Sequence, residues 1–335
     1  MDKINNNISN ICNTDYKYLM SLEHVTGIGR GCKFINKINT LEPCIHILVN
    51  KKVSKKYLTA NNIIPNSYMG IKTDVIEVGT CIESSGDTVD TFPNKFRPLN
   101  SGCVIGLNGR GGSGTLGCFV SKDVLVDDSD DSDDEDNNDI ENEPSYVKEY
   151  FILSNNHVIA NRNEAAIGSL IIQPSMPNGG KFPADLVGVL STFIPIKYIE
   201  GNNEPTNYVD CAIAKVIHTR LLSNEILSLG KISDSDIATL NMEVSKVGHV
   251  TGATNGVITT LDSTIRIKSL NGKSAVFKNQ IISTTKTLVG DSGSGLFTKD
   301  NKIIGLVMGL TDLDFSISND INIVLKELNV DLYTG

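Results

Sequence analysis

The chain has 335 residues, enough for two or three buried cores, and at 40% hydrophobic and 21% charged it has the balance of an ordinary globular protein. Its net charge of −9 is concentrated, because residues 127–143 hold eleven acids and no base. The other 28 of the 39 acids face 30 Lys and Arg, so the body is nearly neutral, and no basic stripe of the kind nucleic acid needs stands out.

Few aromatics, no Trp and 29 Gly among many Ile, Val and Thr favour β structure with frequent turns. The seven Cys are scattered without a CxxC pair, which argues against a disulfide framework or a zinc site and for small apolar fillers. The first residues, Met1-Asp2-Lys3-Ile4-Asn5, carry no apolar signal region. No run approaches the roughly 20 apolar residues that span a bilayer. The expectation is a reduced, cytoplasmic protein that is not bound to membrane. The Asn, Ile and Lys content suggests an AT-rich genome.

In chain order, residues 1–20 read as polar, either disordered or a short helix. Strands follow at 24–34, 43–49 and 71–78, with a charged, helix-like segment at 51–58. Together they predict a small α+β N-terminal domain, 1–85, joined by a linker, 86–100, to a main domain, 101–335. His24 and His46 have no acid or Cys partners close in sequence, so packing or surface roles outweigh metal ligation. Gly109-Arg110-Gly111-Gly112-Ser113-Gly114 fits GxGxxG literally, but strand text follows where a dinucleotide site needs a helix. It reads as a loop entering a barrel, and no cofactor is expected.

The acidic run, taken as an insertion over 127–145, has too little apolar surface to fold and reads as a disordered, solvated loop between two strands. Strands are then expected at 150–153, 169–172, 185–191, 209–216, 243–247, 256–261, 264–268, 274–277, 280–283 and 303–308, with a helical or irregular crossing at 219–229. Ser318-Asn319-Asp320 caps a final amphipathic helix with Ile321, Val324, Leu325 and Leu328 on one face. Many short strands closed by one helix suggest paired β-barrels.

The chemistry gathers at Gly290-Asp291-Ser292-Gly293-Ser294-Gly295, a glycine turn presenting a hydroxyl. A serine needs a base to become a nucleophile. His157, just after the 150–153 strand, is held rigidly yet accessibly. Asp210 enters the apolar Cys211-Ala212-Ile213-Ala214, where a carboxylate needs a partner such as a His N–H. The predicted roles are Ser292 as nucleophile, His157 as base and Asp210 as its orienter, with the Gly290 and Ser292 amides as an oxyanion hole. Each motif alone is weak, and their chain order His, Asp, Ser raises the joint case. Ser294 stands where an α/β-hydrolase elbow would have glycine.

Ser154-Asn155-Asn156-His157-Val158, Val209-Asp210-Cys211-Ala212-Ile213-Ala214 and the 290–295 turn resemble the three catalytic blocks of trypsin-like (chymotrypsin-fold) serine proteases. The similarity is closer to bacterial relatives of the plant narrow-leaf serine proteases. Arg97-Pro98 with Gly114-Thr115-Leu116-Gly117, Ile171-Ile172-Gln173-Pro174 and the 248–256 stretch add to it. The resemblance covers roughly residues 97–330. It implies a mainly β, chymotrypsin-type double β-barrel with a C-terminal helix, and a serine endopeptidase acting on protein or peptide. It also implies that residues 284–287, with Lys286 and Thr287, line one wall of the primary pocket, and that Met308 and Gly309 lie on the other and pair with substrate backbone. Lys286 either sits near the pocket base or points away. No acid stands where a basic side chain would be read, which favours an apolar or small residue before the cut bond. With no zymogen cleavage site in view, activation by a freed N-terminus is not expected. The competing expectation is a catalytically silent protease-fold scaffold for peptide binding or assembly. A homo-oligomer is left open.

Overall fold

The computed structural model describes residues 2–84, 95–110, 112–125 and 145–335. The chain is mainly β, as expected, and its strands gather into two sheet systems.

The first runs, in spatial order, through Asp331–Leu332, Cys118–Leu125, Tyr146–Ser154, Ala212–Val216, Leu186–Phe193, Leu170–Ile172, Val104–Leu107 and Gly114–Thr115. Its ends meet, because Gly114–Thr115 leads through Leu116 and Gly117 into Cys118–Leu125, and the Gly117 amide donates to the Leu153 carbonyl at 3.0 Å. Leu99, Ile105, Leu116, Phe119, Ile152 and Val187 fill its interior. The expected acidic loop lies outside the described residues except for Ser145, and its flanking strands pair up to Leu125 opposite Tyr146.

In the second system Ser274–Ser283, Ser316–Asp320, Lys302–Thr311, Gly295–Thr298, Glu243–Gly248 and Gly252–Lys268 follow one another, and the last pairs back on the first. This ring closes a barrel without a free edge. Two pairs of short predicted strands are each one long strand here. Residues 252–268 and 274–283 run through bulges, with Asp262 and Asn279 at positive φ, a conformation that short Asx side chains tolerate. Their polar text reads as a turn because a bulge and a turn use the same residues.

The N-terminal residues form a helix, Asp2–Thr14, and strands Val25–Ile35, Ile38–Val49 and Ile71–Glu77. Val25–Ile35 pairs antiparallel with Gly252–Lys268, Gly27 opposite Ile265 and Gly31 opposite Thr260, so these strands extend the second sheet. The helix-like text at 51–58 gives only a 3-10 turn, Lys55–Tyr57, and the 219–229 crossing only Thr219–Leu221 and a short hairpin. Neither has the length to support an α-helix against its nucleation cost. At the other end, the Asp320 side chain accepts from the Asn322 amide at 2.8 Å and caps Ile321–Leu328.

A shared core joins the barrels. Cys118, Leu153, Cys211 and Ile213 of the first pack with Phe297, Ile303 and Leu306 of the second and with Val324 of the C-terminal helix. Leu306 is fully buried in this seam. Leu306→Ala should therefore cost about 2–5 kcal/mol of unfolding free energy, read as a lower urea midpoint at an unchanged slope.

Candidate active site

His157 lies in the single turn Asn156–Ile159, directly after Tyr146–Ser154, and Asp210 lies two residues ahead of Ala212–Val216. Those strands are neighbours, Ser154 opposite Ala212, so one sheet register brings His157 and Asp210 together. The His157 ring Nδ1 bonds the Asp210 carboxylate Oδ2, and the His157 amide donates to Oδ1 at 3.2 Å. Both residues are buried. Asp210 is itself held from both barrels. Its carbonyl accepts from Asn155 Nδ2 at 2.7 Å and Asn319 Nδ2 at 3.2 Å, and its amide donates to Asn319 Oδ1 at 3.0 Å. Burial by itself would lower the His157 pKa, but the Asp210 charge and hydrogen bond outweigh it and hold it above the ordinary histidine value.

Ser292 comes from the second barrel, in the turn ahead of Gly295–Thr298. Gly293 has φ +91, and a Cβ there would lie 2.2 Å from the Thr115 carbonyl and 2.3 Å from Ser154 Oγ, so glycine is required. Thr115 ties this turn to the first barrel: its amide donates to the Ser292 carbonyl at 2.7 Å and its hydroxyl to the Gly290 carbonyl at 3.1 Å. Gly114 packs against both Val158, the neighbour of His157, and the Ser292 carbonyl. Ser294 Oγ donates to the Asp291 carbonyl inside the turn.

Asp291 is anchored by a residue that the sequence reading did not single out. Lys246 is fully buried and donates to Asp291 Oδ2 at 3.0 Å. Thr251 Oγ1 and the amides of Leu288, Val250 and Thr251 complete five donors to this carboxylate. Burial would raise the Asp291 pKa, but the Lys246 ammonium and these hydrogen bonds hold it below the usual carboxylate range. Lys246 stands two residues from Val244, on the same inward face of Glu243–Gly248. A lysine on the apolar face of a strand asks for a buried acid, and that was the available signal.

The amides of Gly290 and Ser292, expected to form an oxyanion hole, are occupied. The amides of Gly290 and Ser292 (the latter at 3.4 Å) both donate to one carbonyl oxygen, that of Ser84. Ser84 ends the short strand Cys81–Glu83, which pairs antiparallel with Lys302–Thr311, Glu83 opposite Gly309 and Ile82 opposite Leu310. The Ser84 amide donates to the Met308 carbonyl at 3.3 Å. A Cβ on Gly309 would lie 2.7 Å from the Ile82 carbonyl, so glycine permits this approach. Met308 and Gly309 thus sit against the backbone of an extended segment. Ser292 Oγ lies 2.5 Å from Ser84 Oγ and 3.2 Å from the Met308 carbonyl, while His157 Nε2 is buried without a hydrogen-bond partner among the described residues. Thr287 is buried and donates to Ser316 Oγ at 3.0 Å, whereas Lys286 is exposed and its carbonyl accepts from Thr254.

Elsewhere Cys44, His46 and Asp74 converge as metal sites do, but both His46 nitrogens are engaged, by Thr260 Oγ1 at 2.8 Å and the Cys32 carbonyl at 2.9 Å. Burial lowers the His46 pKa and pushes the Cys44 thiol up to about 12. This cluster reads as packing, in line with the expectation for His46.

Residues 144–306 match the family model described as a trypsin-like peptidase domain. That match supports a trypsin-like serine protease. No curated protein matches the chain. Among solved structures, a Cellulomonas bogoriensis chymotrypsin is similar at 16% identity, covering 71% of this chain and 99% of its own, with a TM-score of 0.43. Thermobifida fusca protease A gives 14%, 71%, 99% and 0.44, and a Nocardiopsis protease 14%, 70%, 99% and 0.42. At such identities and scores these likenesses add nothing to the geometry. Among the described residues no helix is long and apolar enough to cross a membrane.

Lys246→Met leaves Asp291 as an uncompensated buried charge and should destabilise the protein by about 3–5 kcal/mol in urea unfolding, with Asp291→Asn in the same chain recovering part of the loss.

Proposed function

We propose that the protein is a serine endopeptidase in which Ser292 is the nucleophile, His157 the general base and Asp210 its orienter. The single observation that carries this reading is the convergence of the Gly290 and Ser292 amides on one peptide carbonyl, in a segment paired with the strand holding Met308 and Gly309. Donors aimed at a carbonyl oxygen stabilise the charge that develops there when the carbon is attacked.

Each group then has a task. Ser292 Oγ attacks the carbonyl carbon and its proton passes to His157 Nε2, the ring atom that faces away from Asp210. Asp210 holds the Nδ1–H tautomer and stabilises the imidazolium. His157 returns the proton to the leaving amine, and water releases the acyl group through the reverse sequence. Met308 and Gly309 hold the substrate backbone. Thr287 and Lys286 belong to the pocket wall on the resemblance alone. Within the trypsin-like group, the blocks at 154–158, 209–214 and 290–295 support kinship with bacterial relatives of the plant narrow-leaf proteases. The substrate is protein or peptide, handled in the cytoplasm of a bacterium.

The silent-scaffold reading has one observation in its favour: Ser292 Oγ is engaged by Ser84 and Met308 rather than by His157. Fluorophosphonate labelling separates the two. Wild type should label and hydrolyse peptides, and Ser292→Ala should do neither; an unreactive, folded wild type would favour the scaffold.

The pH dependence follows from the raised His157 pKa. Only neutral His157 can accept the proton, so kcat/KM should climb with pH along an acid limb centred above about 6.5, the ordinary histidine value. Asp210→Asn should cut kcat by about 10⁴-fold and shift that limb downward.

A further inference from the structure

The segment in the cleft belongs to this chain. Cys81–Glu83 is docked as a peptide awaiting cleavage would be: antiparallel pairing to residues 309–311, the Ser84 amide on the Met308 carbonyl, and the Ser84 carbonyl under the Gly290 and Ser292 amides. It is also pinned on its far side, where Ile82 pairs with Lys268. Upstream, the Thr80 amide donates to Asp312 Oδ2 at 2.9 Å.

Its one charged side chain is specifically received. Glu83 is 5% exposed. Its Oε1 accepts from Arg162 Nε at 2.6 Å and from the Leu270 amide at 2.9 Å, and Arg162 Nη2 also reaches it. Arg162 lies five residues after His157, in the first barrel, and Leu270 lies just beyond a strand of the second. An acid next to the reacting residue therefore clamps onto both walls of the cleft. A buried carboxylate is tolerated only where such partners await it.

We infer that the chain is its own substrate: Ser292 cleaves the peptide bond after Ser84, with Arg162 reading Glu83 as the penultimate residue. This rests on the endopeptidase reading above. In the reaction Ser292 Oγ bonds to the Ser84 carbonyl carbon and the C–N bond to Ser85 breaks. The Ser292 proton travels through His157 to the new amine of Ser85. Water then cleaves the Ser84 ester, leaving a Ser84 carboxylate and a regenerated Ser292 hydroxyl. The products are fragments 1–84 and 85–335. The pairing of Val25–Ile35 with Gly252–Lys268 holds them together until the protein is denatured. The same contacts define the favoured external substrate, a peptide with an acid followed by a small residue at the cut.

The test is intact mass under denaturing conditions on full-length wild type, Ser292→Ala and Glu83→Arg, each incubated over a concentration series and labelled in parallel with a fluorophosphonate. The expected result is conversion of wild type to fragments 1–84 and 85–335 at a rate independent of concentration, with Ser292→Ala intact. Glu83→Arg should cut at least about tenfold more slowly while Ser292 still labels, since it places a cation against Arg162. Labelled wild type that stays whole, or is cut elsewhere, overturns self-cleavage and leaves the endopeptidase reading standing. Wild type that stays whole and unlabelled, beside a Glu83→Arg variant that labels, also overturns it, making the segment an inhibitor. Absence of cutting and of labelling in both proteins sinks the endopeptidase reading and self-cleavage with it.

Discussion

The geometry of the 288–293 turn depends on one buried charge pair. Taking Lys246 and Asp291 out of water is costly, and burial lowers the lysine pKa while opposing ionisation of the acid. The five donors around Asp291 offset that cost, and they arrive from the strand holding Lys246, from the 248–252 loop and from the turn itself. Three backbone stretches are thereby fixed to one carboxylate. The residue beside it is Ser292, so the direction of the Ser292 and Gly290 amides is set by the pair. A lysine already in the core holds Asp291. The stability from the depressed Asp291 pKa is present in full above the unfolded carboxylate value and is lost as pH falls through the folded one.

The second dependence is on the contact between barrels. His157 and Asp210 belong to one and Ser292 to the other, and no single sheet could fix all three. Asn319 links them by accepting from the Asp210 amide and donating to the Asp210 carbonyl, while also donating to the Leu306 carbonyl. Thr115 does the same for the serine turn. These are neutral hydrogen bonds within a well-packed seam, so they act by geometry, and each is made by a buried side chain with no freedom to leave.

How much of this was legible varies with the range of the interaction. The mainly β class, the cap at Asp320 and the strand-end position of His157 follow from local text, because period, turn residues and caps act over a few residues. The long strands 252–268 and 274–283 were split in the reading because bulges at Asp262 and Asn279 use turn chemistry. Gly290 and Ser292 are expected as oxyanion donors from a glycine turn, and in the structure both amides donate to the Ser84 carbonyl. Lys246 was missed although strand alternation placed it inward. Arg162 and Glu83 were beyond reach, since 79 residues separate them and neither has a telling local pattern. The resemblance to proteases placed Met308 and Gly309 against a peptide, but nothing in the text said that the peptide would be residues 81–84.

That occupant changes how the N-terminal residues relate to the rest. Val25–Ile35 attaches the N-terminal residues to the second barrel by strand pairing, and Ile28, Ile45 and Ile47 are fully buried in the core that these residues form with the Asp2–Thr14 helix. Cys81–Glu83 is a short strand reached from that anchored unit, so its local concentration at the cleft is set by a tether and not by diffusion. A three-residue strand free in solution would bind weakly, since ordering an extended peptide costs on the order of 1–2 kcal/mol per residue. Here the sheet that ends at Glu77 and the Thr80–Asp312 contact order the residues just ahead of it. The cleft can then receive a segment whose charged side chain, Glu83, is held by Arg162 and the Leu270 amide. An external peptide has no such tether and must make up the difference through its own side chains. Selectivity for an acid at that position should therefore be sharper toward foreign substrates than toward the chain itself.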